Sequence, residues 1–392
     1  MARRSVFILL AAVFLLTGLG ITMLASTSVY SVKAGEDYVT VWKQCVSAGV
    51  ALLAGLIAAL VDYHVWHRLR WWIYGLACAG LALCFEWHLA KLAGYEPLIG
   101  VWKGGAARWL KTGLGDMQLQ PSEFAKIALI IALAGWFVAH EGKERTFRHG
   151  LLLPGLILGG VTGLIGLEVD LGNGSLAIAV GMGILFVAGT RARYLTILGG
   201  LGGALLAAGI WLAPKRFERV IAIFDLEKYK DGVGLQQWIS WLAFGSGGLD
   251  GRGLGEGRMK HSYLPEAHTD FIFPMIGEEI GLWGSLGTLL IFVVIALCGM
   301  SIAMHAPDRF GRLLGFGLTL LISLEALLNM GVTTALLPNK GLPMPFVSYG
   351  GSSLVAAMVA VGILVNIHCR STHSARDQLP LIRRDKRWTP QI

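Results

Sequence analysis

The sequence predicts an all-α polytopic membrane protein of about ten transmembrane helices, with a large extracytoplasmic loop between helices 7 and 8. Three observations lead there. Of 392 residues, 55% are hydrophobic and only 15% are charged, whereas soluble domains carry about 25% charged residues. Apolar runs near the ~20 residues that cross a bilayer recur along the chain. Short basic clusters fall between alternate runs, as they do on the cytoplasmic side of a membrane.

The first run, Ser5–Ala25, follows Arg3 and Arg4 and has the form of a signal peptide. The many runs behind it make it a first span instead. Trp42–Val61, Trp71–His88, Ser122–Ala139, Leu151–Leu167, Ser175–Gly189 and Tyr194–Ala213 follow, and Phe271–Ala303, Leu313–Leu337 and Ser352–Cys369 complete the set. Backbone groups in lipid must be satisfied within the segment, so all ten are expected to be helices.

With the N-terminus in the cytoplasm, Arg68 and Arg70, Lys143, Arg145 and Arg148, Arg191 and Arg193, and Arg309 and Arg312 fall inside. Every short loop on that side is then basic. Both termini become cytoplasmic, residues 1–370 form one helical domain, and 371–392 form a basic tail. The external segments are 89–121, 214–270 and 338–351. Segment 214–270 is far longer than an ordinary connection, so a functional role is expected of it. No repeat between the halves supports an inverted-repeat transporter. Cys45, Cys78, Cys84, Cys298 and Cys369 lie mostly in or beside apolar runs without metal-ligand spacing. No Walker pattern is present, and no nucleic-acid partner is expected.

The chemistry-bearing residues concentrate in Tyr263-Leu-Pro-Glu-Ala-His-Thr-Asp-Phe-Ile-Phe-Pro-Met-Ile-Gly-Glu-Glu279. Asp270 stands where the long loop meets the eighth run. Thr269 or Asp270 would cap that helix, while a general base also requires the ionised carboxylate. Both readings stay open. In an extended stretch Glu266, His268 and Asp270 would point the same way. Upstream, the glycine-rich segment 245–260 with Arg252, Arg258 and Lys260 is either a phosphate cradle or a flexible loop. Lys215, Arg216 and Arg219 would attract an anionic lipid head group.

Pro121 suits the first turn of the fourth run, and Glu123 and Lys126 are placed for an i, i+3 ion pair. Glu325 and Asn329 share a face of the ninth run, as a functional acid or as hydrogen-bonded glue between helices. Glu278 and Glu279 would lie about two turns into the eighth. The segment Leu337–Ser353, with its prolines and glycines, suits a structured external loop. Lys340 there could reach an anion, and Ser348, Ser352 and Ser353 could donate hydrogen bonds. None has a partner recommending it as a nucleophile.

Five motifs together resemble the SEDS family of cell-wall polymerases, whose branches include FtsW, RodA and SpoVE. They are Gly105-Ala-Ala-Arg-Trp109, Gln120-Pro-Ser-Glu-Phe-Ala-Lys126, Asp170-Leu-Gly172, the 263–279 stretch, and Gly341-Leu-Pro through Ser353. The Pro-Glu-Ala-His-Thr-Asp wording is most similar to the FtsW branch. The resemblance spans nearly the whole chain. It implies a ten-helix peptidoglycan glycosyltransferase that polymerises lipid II on the outer face of the bacterial plasma membrane, with a septal role at division. The family's essential carboxylate maps onto Asp270, as general base on the acceptor hydroxyl. Arg108, Lys340, Arg216 and Arg258, or a divalent cation (Mg or Mn), would stabilise charge on the leaving undecaprenyl pyrophosphate. No other cofactor is implied. His268, Glu266, Ser348 and Ser352 complete the expected substrate contacts. Lipid II and the undecaprenyl-pyrophosphate-linked glycan are the implied substrates. A class B penicillin-binding protein and other divisome proteins are the implied partners. The rival readings are a lipid II flippase, in which Glu325, Glu278 and Glu279 would matter more, and a non-catalytic scaffold. The chain departs from the family pattern at Val169, where proline is usual, at Asn339, where threonine is frequent, and at Ile239, where glutamine is frequent.

Overall fold

A computed structural model describes residues 2–28, 37–103, 106–111, 118–259 and 268–377. Its long helices are α1 (Ala2–Ser28), α2 (Asp37–Leu60), α3 (Tyr63–Leu83), α5 (Pro121–Ala139), α6 (Leu153–Leu167), α7 (Leu171–Ala188), α8 (Ala192–Trp211), α12 (Gly281–Met304), α13 (Arg309–Thr333) and α14 (Gly351–Asp377). Among the described residues, nine helices are long and apolar enough to cross a membrane. The tenth long helix is α3, whose first turns carry His64, His67, Arg68 and Arg70. This chain is a multi-pass membrane protein, as expected.

The core lies where α5, α7, α13 and α14 meet, and α5 is buried over most of its length. Its first two turns bring two charges inside. Lys126 Nζ donates to Glu123 at 3.0 Å, to Glu325 at 2.8 Å and to Asn173 at 2.9 Å, joining α5, α7 and α13. The expected Glu123–Lys126 pair is present, and Glu325 turns to Lys126 rather than to Asn329. At the opposite end, Asn366 of α14 accepts from Tyr63 N at 2.9 Å and donates to Ala59 O at 2.7 Å. One amide thereby ties the end of α2 to the start of α3.

Three features depart from the sequence reading. The third helix starts earlier, at Tyr63, because the Asp62 side chain caps it by accepting from His64 N. The eighth run is two helices. Short α11 (Ile272–Glu279) and spanning α12 are separated at Ile280, and Gly281 takes a left-handed φ of 78°, which a residue without a Cβ adopts freely. Glu278 and Glu279 therefore precede the span. Glu279 accepts from Ser26 Oγ near the C-terminus of α1, at 2.7 Å.

The segments between helices also have more structure than expected. Past α4 (Glu86–Ala93), the strands β1 (Gly100–Lys103), β2 (Ala106–Lys111) and β3 (Gln118–Leu119) form an antiparallel sheet in the order 1-2-3, with Val101 opposite Trp109. Segment 214–270 contains α9 (Pro214–Ile221) and α10 (Leu235–Gly247). Gln237 of α10 donates to Val332 O at 2.7 Å and Leu337 O at 2.8 Å, satisfying one carbonyl in the last turn of α13 and one in the loop that follows.

Candidate active site

The loop following α13, the turn 268–270, the start of α7 and strand β2 converge at one end of the bundle. Asn329, at the end of α13, does the joining. Its Nδ2 donates to Asp270 O at 2.8 Å and to Leu342 O at 2.7 Å. Tyr349 N donates to His268 O at 3.0 Å, so the turn is held at His268 by the 338–350 loop and at Asp270 by Asn329. Gly341 lies flush against the carboxylate, where an added Cβ would stand 2.6 Å from Asp270 Oδ2. Helix α11 begins at Ile272 with Phe271 as N-cap and no side-chain cap. The N-cap position thus falls one residue past Asp270. The short helix follows Asp270 directly, and its dipole favours a carboxylate at that end.

A charged wall stands beside this turn. Asp170 caps α7, accepting from Asn173 N at 3.1 Å and Asn173 Nδ2 at 3.0 Å, and Arg108 Nη1 lies 3.8 Å from its Oδ2. Strand β2 delivers Arg108, whose guanidinium also donates to Val169 O at 2.9 Å. Val169 adopts φ 66°. Proline is locked near φ −65°, so this backbone excludes the residue usual in the family. Lys340 Nζ reaches Ser175 Oγ at 3.3 Å beside a small apolar cavity. Burial holds its ammonium below the ordinary lysine range, opposed by the nearby Asp170 charge. Glu168 is buried beside the Cys84 thiol, which opposes the effect of burial. Burial, with Asp170 adding repulsion, pushes it up to about 8.

The expected site residues therefore divide. Asp270, His268, Lys340 and Arg108 share one region, and Asp170 links the last two. Arg216 sits on α9, and its Nη1 donates to Gly209 O near the C-terminus of α8 at 3.0 Å. Arg258 lies elsewhere, at the far end of α11, roughly 12 Å along that helix at 1.5 Å per residue. The glycine-rich loop there is not an open phosphate cradle. Arg258 N donates to Glu278 at 2.7 Å and Gly255 N to Glu279 at 3.0 Å, so these amides wrap the protein's own carboxylates. Ser348 is buried and its Oγ accepts from Met344 N at 2.8 Å. Ser352 Oγ accepts from Gln120 N at 3.1 Å and donates to Gln118 O at 3.2 Å. Both serines serve the loop's own architecture. Glu266 and Lys260 lie outside the described residues. Asn329 and Gly341 were not among the expected site residues. The polar Asn329 near the end of an apolar run was the available signal.

The family model described as Cell cycle protein, FTSW_RODA_SPOVE, matches residues 6–373. A protein of Geobacter sulfurreducens named Probable peptidoglycan glycosyltransferase FtsW is 39% identical over 373 residues, covering 94% of this chain and 96% of the relative. Stage V sporulation protein E of Bacillus subtilis is 33% identical over 362 residues, covering 92% and 96%. Among solved structures, a chain of a peptidoglycan synthase complex that coordinates polymerization and crosslinking superposes with a TM-score of 0.74 at 27% identity, over 93% of this chain and 97% of that one. The RodA crystal structure from Thermus thermophilus superposes at 0.66 and 27% identity, over 93% and 96%. This chain belongs to the FtsW, RodA and SpoVE family of cell cycle proteins.

Proposed function

We propose that the protein is a peptidoglycan glycosyltransferase that polymerises lipid II on the outer face of the plasma membrane, with Asp270 as general base. The observation that carries the assignment is the seat of Asp270: a carboxylate directly before a helix, held through its own carbonyl by Asn329 and flush against Gly341. Family membership supplies the substrate class.

In this reading the 4-hydroxyl of one lipid II attacks the anomeric carbon of the lipid-linked donor strand. Asp270 takes the hydroxyl proton as the new C–O bond forms. The bond to the diphosphate breaks, undecaprenyl diphosphate leaves with the electron pair, and configuration inverts. A placed base contributes on the order of 10²–10⁴-fold. Arg108 and Lys340 supply positive charge toward the developing diphosphate. A divalent cation, Mg or Mn, would enter this scheme with the substrate, since Mg is held by one or two carboxylates plus phosphate oxygens. Among the described residues no group of three His, Cys, Asp or Glu side chains forms a cage for it. No step is assigned to it.

Both termini are assigned to the cytoplasm and the protein to the division septum, with a class B penicillin-binding protein as partner. The relative within a polymerizing and crosslinking synthase complex supports that pairing. A flippase would need Glu278, Glu279 and Glu325 to face a passage. Instead the first two accept from loop amides and the third pairs with Lys126. The decisive test supplies labelled lipid II to the full chain with its partner and compares Asp270→Asn at equal folded amount. Loss of glycan polymer is expected. Wild-type polymer from the variant would sink the base assignment, and lipid II transfer across vesicles without polymer would favour the flippase.

A further inference from the structure

The turn that meets Asp270 has little of its own to hold it. Leu342 N donates to Lys340 O at 3.1 Å, which folds residues 340–342 into a three-residue turn with Gly341 at its apex. Gly341 is exposed on the side away from the carboxylate it touches. A catalytic group must be kept within about 0.5 Å of its productive place by neighbours that are themselves locked. The place of this turn is therefore set by what grips the chain before and after it.

After the apex the grip comes from the bundle, where Asn329 of α13 donates to Leu342 O at 2.7 Å. Before the apex it comes from α10, which belongs to segment 214–270. Asn339 is buried, and its Nδ2 donates to Gln236 Oε1 at 2.7 Å. Gln237, the next residue of α10, is fully buried and donates to Leu337 O at 2.8 Å. Two grips two residues apart fix the direction of the incoming chain as well as its position. Lys340 then reaches Ser175, and Gly341 meets Asp270.

The helix that supplies these grips has its own seat. Ile239 and Ala243 of α10 are part of the apolar core, and Trp241 Nε1 donates to Thr334 O at 3.0 Å. Gln236 is half-buried and outside that seat. Removing its amide slackens the loop without unseating the helix.

We infer that Gln236 is a positioning residue for the reaction: through Asn339 it holds the turn that seats Asp270, so that α10 and the bundle share the setting of the base. This rests on the glycosyltransferase reading and deepens it.

The test follows polymerisation of labelled lipid II by the full chain with its partner, at equal folded amount, beside hydrogen exchange of the 339–343 amides. A misplacement of ~1 Å costs on the order of 10²-fold, and slack of about half that distance should lower kcat about 10-fold in Gln236→Ala and in Asn339→Ala. KM should change less than kcat. The double variant should lose no more than either single one, because both remove the same bond. Exchange at 339–343 should quicken in Gln236→Ala while the melting temperature stays near wild type. Trp241→Phe removes a bond from the same helix to Thr334 O only, and should leave kcat and loop exchange near wild type. Multiplied losses in the double variant, wild-type kcat in Gln236→Ala, an equal loss in Trp241→Phe, or unaltered loop exchange in Gln236→Ala would each overturn the inference. Failure of wild type to make polymer would count against the glycosyltransferase reading, and loop exchange would still decide whether Gln236 holds the turn.

Discussion

Replacing Gly341 by alanine is predicted to remove most activity while leaving the fold intact. The added Cβ would stand 2.6 Å from Asp270 Oδ2, whereas ordinary contact begins at 3.4 Å, so the carboxylate must retreat by about 0.8 Å. A misplacement of ~1 Å at a reacting group costs on the order of 10²-fold in rate, about 2.7 kcal/mol of barrier. Gly341 is exposed, and its φ lies outside the left-handed region. Alanine there brings no backbone strain, and restricting the unfolded chain is mildly stabilising. The assay is polymerisation of labelled lipid II by the full chain with its partner, at equal folded amount, alongside a melting curve. A rate near wild type would refute the claim that Gly341 seats the base. A rate loss matched by a lower melting temperature would refute the claim that the effect is local.

Three further outcomes are expected. Lys126→Met leaves Glu123 and Glu325 buried without their cation, and should destabilise by about 3–5 kcal/mol, read as a lower melting temperature in detergent. The triple change Glu123→Gln, Lys126→Met, Glu325→Gln should recover part of that loss, and a single variant that melts like wild type would contradict the account. Asn366→Ala strands Tyr63 N–H and Ala59 O, at about 1–3 kcal/mol for each buried group, and a thermal-shift measurement checks it. Glu168 titrates from 4.5 when unfolded to about 8 when folded. The folded state then holds more protons between those values, so stability should fall as pH rises through that window. Glu168→Gln should flatten the fall, and a parallel decline in the variant would exclude Glu168 as its source.

The spans were legible because lipid imposes a length and a composition on each of them. Their ends were not, since capping by Asp62 and the break at Gly281 are local backbone events inside or beside apolar sequence. The same break explains why Glu278 and Glu279 read as intramembrane acids. Only the position of Ser26 and the loop amides reveals where those carboxylates go. Asp270 was visible as a candidate, yet base and cap call for the same ionised carboxylate, and Asp270→Asn is the change that separates them. Ser348 and Ser352 looked available for a ligand because hydroxyl chemistry is the same whether a loop or a substrate uses it. The sheet that carries Arg108 left only short strand-like runs among glycines, too brief to stand out beside ten helices.

The buried lysine has a consequence for biogenesis. Lys126 and its partner Glu325 are 199 residues apart. At ~5–20 residues per second of synthesis, α5 exists for roughly 10–40 s before the second carboxylate has been made. Through that interval Glu123, one turn away, is the partner already at hand. The i, i+3 pair lets α5 enter the bilayer without waiting for α13. Arrival of α13 then adds Glu325 to a pair that is already formed, and with it the polar link between α5 and α13.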